Sequence, residues 1–372
     1  MTSLRICYVI DNLRADGTQR ILVHLVRGLG ERGHVQHIFC LNACVDPTVV
    51  QRLEENGANI TVVGKWQVAS GIGFIQLAAR FAKFRPDVVQ TFLPVSDVVG
   101  RTAARLASVP AIVSSIRATN RDKKAWQFVL DRVTMRWAKR VIFNSRSVIP
   151  FAIAREGVRP AQVVFIPNGV RLPSPQSCGK DPKLLAAFGV CPSAPLVGTV
   201  GRLYPQKGHT FLLMAIKKVI QTLPETVLLI VGDGPLRPNL EAKTQELGIQ
   251  SSVRFLGYRS DVAEVLPCLD LYVQSSLWEG MPNAVMEAMA TGLPVVATKV
   301  DGTVELIEHG RSGWLVEPAN PDALFRAIVD ALTNKHEASR VGKVAAERMR
   351  AFFSLEAMIS AYEELYRELS TR

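Results

Sequence analysis

A chain of 372 residues with 48% hydrophobic and 21% charged side chains has an ordinary globular composition and length enough for two domain-sized cores, which excludes a disordered or fibrous chain. The formal charge of +11 favours a negatively charged partner, whether nucleic acid, an anionic membrane surface or a phosphorylated substrate. Six scattered cysteines (Cys7, Cys40, Cys44, Cys178, Cys191, Cys268) fit a reducing, cytoplasmic compartment. No run approaches the roughly 20 apolar residues of a spanning helix, so membrane contact is expected to be peripheral.

Short β-branched runs alternate with helix-period segments. The N-terminus reads as a strand, Leu4–Ile10, rather than as a signal peptide, because its apolar stretch is short and no small-residue cleavage region follows. Further strands are expected at Val35–Leu41, Ile60–Val63, Asp87–Thr91 and Ala111–Ser114. Between the first two, Thr18–Arg32 sets Ile21, Leu22, Leu25, Val26 and Leu29 on one helical face. Gly17, just before it, lets a phosphate or an acceptor approach the helix start, while Thr18 as a plain N-cap explains the same residues.

His34, His37, Cys40 and Cys44 have ligand-like spacing, but the alternation of Val35–Leu41 carries them into a sheet, and no metal is expected there. Farther along, Trp126, Leu130, Val133 and Trp137 form one helical stripe and Arg132, Arg136 and Arg140 another, with Lys123, Lys124 and Lys139 adding charge. Such a helix suits an anionic bilayer. A core-facing stripe with a solvated basic back is the alternative.

The alternation lapses between Gly169 and Pro195, where Pro173, Pro175, Pro182 and Pro192 fall. A linker over 173–194 is expected, separating an N-terminal domain, 1–172, from a C-terminal one, 195–354. Strands resume at Leu196–Val200, Thr226–Val231, Val253–Leu256, Leu271–Gln274 and Val295–Thr298, giving a second doubly wound α/β domain. The last helix, Leu355–Leu369, has an apolar face of Met358, Ile359, Tyr362, Leu365 and Tyr366 that either domain can bury.

The segment richest in chemistry runs from Ser275 to Pro294. Pro282 suits a first helical turn, and Gly292 with Pro294 ends the helix, so Glu279 lies in the preceding loop and Glu287 inside the helix. Backbone N–H groups of Met281, Asn283 and Ala284 at the helix start can face a phosphate. Glu287 then sits on the order of 8 Å along the axis from the loop, so one carboxylate can reach a ribose and the other a sugar. A solvated loop acid and a surface helix acid are the alternative, against which the crowding by Val285, Met286, Met289 and Ala290 weighs.

A second constellation, Val197 to Gly208, is a strand running into a loop and then a helix. Arg202 offers a planar fork of donors and Lys207 a flexible ammonium, a pair able to hold a diphosphate and neutralise a departing nucleotide. Two ordinary surface bases are the alternative. The turn Gly232-Asp233-Gly234-Pro235 permits close backbone approach to a ligand, and a plain strand-to-helix turn explains it as well.

Gly201-Arg202 with Lys207-Gly208, the Gly232–Pro235 turn, Phe255-Leu256-Gly257 and the Glu279/Glu287 pair together resemble the glycosyltransferase family 4 signature. The resemblance extends through Gly17, Asn144-Ser145, Ile166–Val170 and Asp301-Gly302 over nearly the whole chain, and the two-glutamate segment is its most specific part. It implies the GT-B fold: two Rossmann-like domains facing across a cleft, the C-terminal one binding donor, and helix 355–372 packing back on the N-terminal one. It implies a retaining hexosyl transfer from a UDP-, GDP- or ADP-sugar, with Glu279, Arg202 and Lys207 as catalytic residues. Donor binding would fall to Glu287, Gly17, Gly280, Met281, Asn283, Ala284, Leu256, Tyr258 and Arg259.

Two departures stand out. The family's double glycine before the first helix reads Asp16-Gly17, and where many members place a histidine this chain has Ser114-Ser115-Ile116-Arg117. Arg117 is therefore a candidate donor or acceptor contact, and no catalytic histidine is carried over. With no Asp-x-Asp in the chain, no metal or other cofactor is expected. The expected acceptor is a glycan or lipid-linked glycan of envelope polysaccharide or glycolipid synthesis, on the inner face of the membrane. A nucleotide-sugar epimerase or a phosphorylase on the same fold is the enzymatic alternative. A polyanion-binding protein is the non-enzymatic one, although no nucleic-acid motif is present and none is expected as partner.

Overall fold

The computed structural model describes residues 2–14, 16–64, 72–119, 123–173 and 179–370. The chain divides into two units, Met1–Gly169 with Leu355–Arg372, and Val170–Ser354.

The first unit is built on a seven-stranded sheet of β1 (Arg5–Ile10), β2 (Val35–Cys40), β3 (Asn59–Val62), β4 (Val88–Phe92), β5 (Ala111–Ile116), β6 (Arg140–Phe143) and β7 (Val163–Phe165), ordered β3-β2-β1-β4-β5-β6-β7. The second holds a six-stranded sheet of β8 (Leu196–Val200), β9 (Val227–Val231), β10 (Val253–Gly257), β11 (Leu271–Gln274), β12 (Val295–Thr298) and β13 (Trp314–Val316), ordered β10-β9-β8-β11-β12-β13. The strand pairs are parallel, so crossover helices cover the faces, and central strands such as β4 and β5 are buried throughout. In each sheet the order reverses beside the first strand, at β1/β4 and at β8/β11. Those switch points are where open α/β sheets receive ligands, beyond the strands' carboxyl ends.

The helix Gly17–Glu31 packs Ile21, Leu22, Leu25 and Leu29 against Met358, Ile359, Tyr362 and Leu365 of the last helix, Leu355–Ser370. Gly28 makes the approach possible, since a Cβ there would lie 2.3 Å from Ile359 Cδ1. Tyr366 donates to Gln90 at 3.1 Å and Arg32 pairs with Glu363 at 2.5 Å, so the last helix is a fixed part of the first unit.

Several expectations are corrected. Asp16 occupies the N-cap position and Thr18 lies inside the first turn, so Thr18 is not the cap. Strands β7 and β13, three residues each, are too short to display an alternation, and β6 begins at Arg140, which the sequence pattern places on a basic helical stripe. The expected linker, of which 174–178 lies outside the described residues, is largely folded. Helix Pro182–Ala187 is capped by Asp181, and Leu185, Phe188, Val190 and Ala194 enter the second unit's core. Proline there starts a helix at its first position instead of marking a break. The units part at Gly169/Val170, where Val170 N–H donates to Phe353 O at 2.9 Å. No helix among the described residues is long and apolar enough to cross a membrane.

Candidate active site

The site lies at the carboxyl ends of β8, β9 and β11 in the second unit. The loops after these strands are locked by glycines. Gly208 has φ +61°, and a Cβ there would fall 2.1 Å from Ser275 O. At Gly232, φ +133°, a Cβ would fall 2.0 Å from Gly201 O. A side chain at either position would push the loops after β8 and β9 away from their neighbours.

This packing brings Glu279 to Lys207. Glu279 is 7% exposed. Its Oε1 accepts from Lys207 Nζ at 2.5 Å, Ser276 Oγ at 2.6 Å and Gln274 Nε2 at 3.2 Å. Gln206 Nε2 lies 3.5 Å from Oε2 and donates to Trp278 O at 2.9 Å. Gln274 is held in turn by Thr303 Oγ1, which donates to its Oε1 at 3.3 Å, and Ser276 O accepts from Thr298 at 2.6 Å. Gly302 packs so closely that a Cβ would sit 1.9 Å from Gly280 O. Glu279 is thus a fixed negative charge whose inner oxygen is fully engaged, the arrangement of a preorganised electrostatic group.

The helix after this loop runs Asn283–Ala290, with Pro282 at its N-cap position and not in its first turn as the sequence suggested. The shift matters little, because Pro282 lacks an N–H in either place. Val285, Met286, Ala288, Met289 and Ala290 are buried, whereas Asn283, Ala284 and Glu287 are half-buried. These three are spaced three and four apart, so they form one stripe along the helix that stays partly open. Pro282, Asn283 and Ala284 also line a cavity of about 40 Å³ with Lys207, His209 and Gln274. A helix start, an ammonium and amide side chains around a small cavity are suited to a phosphate.

The remaining expected residues are placed as follows. Arg202 is exposed on the loop after β8, with its guanidinium 5.0 Å from the Tyr204 ring centroid. Met281 is buried and Gly280 half-buried. Leu256 packs on the core of the second unit and Tyr258 is 66% exposed. Arg259 donates to Asp261 at 2.8 Å, holding that carboxyl below its usual range, and lies 4.9 Å from the Phe188 ring centroid. Gly17 and Arg117 belong to the first unit. Gly17 opens its helix, and Arg117 donates to Asn168.

Of the cluster weighed for metal, His34 pairs with Glu363 at 3.1 Å, His37 contacts Thr61 at 2.9 Å and Cys40 donates to Asn42 O at 3.0 Å. No group of three metal-ligating side chains occurs among the described residues. The basic helix, Ala125–Met135, exposes Trp126 (59%), Val129 (59%), Leu130 (41%) and Val133 (40%), so the apolar stripe faces outward and a core-facing stripe is excluded. Trp137 instead packs on the core, and Lys123 is buried between Asp131 and Glu156, each at 2.7 Å.

Gln274, Thr303 and His209 belong to the site without standing out in the sequence. The first two are an ordinary strand end and helix start in the sequence, and only the fold aims Gln274 at Glu279 and Thr303 at Gln274. His209 directly follows Lys207-Gly208, an adjacency that offered a signal.

Two Rossmann-like units with a fixed glutamate and lysine at the switch point of the second define a GT-B glycosyltransferase. Comparisons with known proteins agree: a "Glycosyl transferase 4-like domain" family model matches residues 16–169 and a "Glycosyl transferases group 1" model matches 194–334. The chain belongs to the family 4-like glycosyltransferases and is a transferase enzyme. It is 29% identical over 302 residues to the UDP-Gal:alpha-D-GlcNAc-diphosphoundecaprenol alpha-1,3-galactosyltransferase of Escherichia coli, covering 78% of each chain. It is 32% identical to the lipopolysaccharide core biosynthesis glycosyltransferase LpsE of Rhizobium meliloti, over 46% of this chain and 49% of that protein. The fold matches the crystal structure of Anabaena Alr3699/HepE in complex with UDP and glucose with a TM-score of 0.87, at 22% identity, over 98% of this chain and 100% of that one.

Proposed function

We propose that this chain is a retaining, metal-independent glycosyltransferase that moves a sugar from a nucleoside-diphosphate donor to a lipid-linked or glycan acceptor of the cell envelope. The observation that carries the donor half is the Lys207–Glu279 pair, fixed by Gln274 and Ser276, beside the start of the Asn283–Ala290 helix. Lys207, Arg202 and the helix start hold the diphosphate, and Glu287, on the helix's partly open stripe, addresses the ribose. As the bond from the anomeric carbon to the phosphate oxygen breaks, its electron pair leaves on that oxygen. The acceptor hydroxyl oxygen bonds the same face of the carbon, and its proton passes to the departing phosphate. Glu279 stabilises the positive charge that develops on the sugar. Three donors on Oε1 fix the carboxylate for that electrostatic role.

The lipid-linked acceptor is supported by the outward stripe of Trp126, Val129, Leu130 and Val133 beside exposed Arg132 and Arg136, and by the diphosphoundecaprenol substrate in the name of the Escherichia coli relative. That stripe would seat the enzyme on an anionic cytoplasmic membrane face. The test is a thermal-shift screen of UDP-, GDP- and ADP-sugars in EDTA, followed by anomer-resolved analysis of the product. Stabilisation by one donor series without metal and a product of the donor's anomeric configuration are expected. An inverted product, or donor binding only with added divalent ion, would sink the reading.

A further inference from the structure

His209 is 3% exposed, and its Nδ1 is buried with no hydrogen-bond partner among the described residues. Buried polar atoms are nearly always paired, so an orphan calls for an explanation. The surroundings are mixed: Thr199, Lys207, Gln274 and Asn283 line its cavity of about 40 Å³ together with Val200 and Ala284. Gly208 places it there, because the left-handed turn at φ +61° lets the chain close on Ser275 O before the His209–Thr222 helix begins. Burial, and then the charge of Lys207, push the imidazole pKa down to about 4. At neutral pH the ring therefore carries one N–H and one lone pair, and adds no charge beside Lys207.

We propose that His209 is a further donor-binding residue, whose ring N–H hydrogen-bonds a diphosphate oxygen of the nucleotide sugar between Lys207 and the start of the Asn283–Ala290 helix. This rests on the donor-site reading above. A cavity of about 40 Å³ admits a water-sized group such as a phosphoryl oxygen. A neutral donor at this point adds directionality to a site whose charge Lys207 and Arg202 supply.

The experiment is calorimetric titration of UDP, GDP and ADP, and of their parent nucleosides, into the wild type, His209→Leu, His209→Phe, His209→Gln and Lys207→Ala. The apolar variants are expected to bind the preferred diphosphate about tenfold more weakly and its nucleoside unchanged. His209→Gln, which keeps an N–H, should retain most of the affinity. His209→Phe keeps a flat ring without its nitrogens and serves if the leucine variant unfolds. If diphosphate and nucleoside weaken together, or if the apolar variants bind normally while Lys207→Ala does not, the assignment fails and the donor site stands. Normal diphosphate binding by Lys207→Ala as well would overturn the donor site itself.

Discussion

Each unit buries an ionic cluster toward the carboxyl ends of its strands, and the two differ in how far they are closed. In the N-terminal unit, fully buried Arg101 donates to Asp131 at 2.7 Å and to Ser114 and Thr134 at 3.1 Å. Lys123 then bridges Asp131 to Glu156. Asp97, beside them, has its pKa pushed up to about 6 by burial, which outweighs the Arg101 charge. In the C-terminal unit Glu279 is held closely at Oε1 while Oε2 has a 3.5 Å contact from Gln206, Arg202 is exposed, Glu287 lies on a partly open stripe and His209 Nδ1 has no partner among the described residues. A closed cluster joins helices to a sheet. One left open on one side keeps its charges in place for a group that arrives.

The largest expected effect tests the closed cluster. Arg101→Met takes from buried Asp131 one of its two cationic partners, leaving Lys123, and should cost about 3 kcal/mol of stability in denaturant unfolding, with turnover per folded molecule near normal. Turnover lost at full stability would erase the distinction. On the open side the effects reverse. Glu287→Gln should weaken donor binding about tenfold by calorimetry, with little change in melting temperature, since the residue is only half-buried.

Smaller again is the effect at the outward stripe of the first unit. Trp126→Glu with Val129→Glu should reduce partition onto anionic vesicles about tenfold and leave transfer to a soluble acceptor analogue intact. Unchanged co-sedimentation would remove the membrane from the account. The mildest effect is one of pH. Hydrogen bonds from Arg32, Arg367 and His34 outweigh desolvation and hold Glu363 at about 2, below the ordinary 4.5. A depressed carboxylate stabilises the fold above the unfolded pKa and loses that contribution as pH falls through the folded one. The melting-temperature gap between wild type and Glu363→Gln should therefore be full above pH 4.5 and vanish toward pH 2. A gap independent of pH would place the effect in packing.

Much of the fold was legible because apolar strand runs bounded by turn residues, and amphipathic helices, carry their pattern in the chain. Leu196–Val200, Leu271–Gln274 and Val295–Thr298 fall where the sequence places them. Three-residue strands such as Val163–Phe165 carry no period, and the proline-rich stretch misled because Pro182 opens a helix and does not break one. In the site, the sequence singles out Glu279 from the helix punctuation of Pro282, Gly292 and Pro294 and Lys207 from a strand end beside glycines, and the structure brings the two into contact. Gln274, Thr303 and His209 are defined by what they face across the fold, which local spacing does not encode.

The central claim is that Lys207 and Glu279 act as one unit on the donor, without metal. A double-mutant cycle of Lys207→Ala and Glu279→Gln, read as donor kcat/KM in EDTA, tests it most directly. Each single change should lower kcat/KM by about 10²–10³, and the double variant should lose little more than the worse single one. Near-normal turnover in either single variant, or a double loss equal to the product of the two, would contradict it.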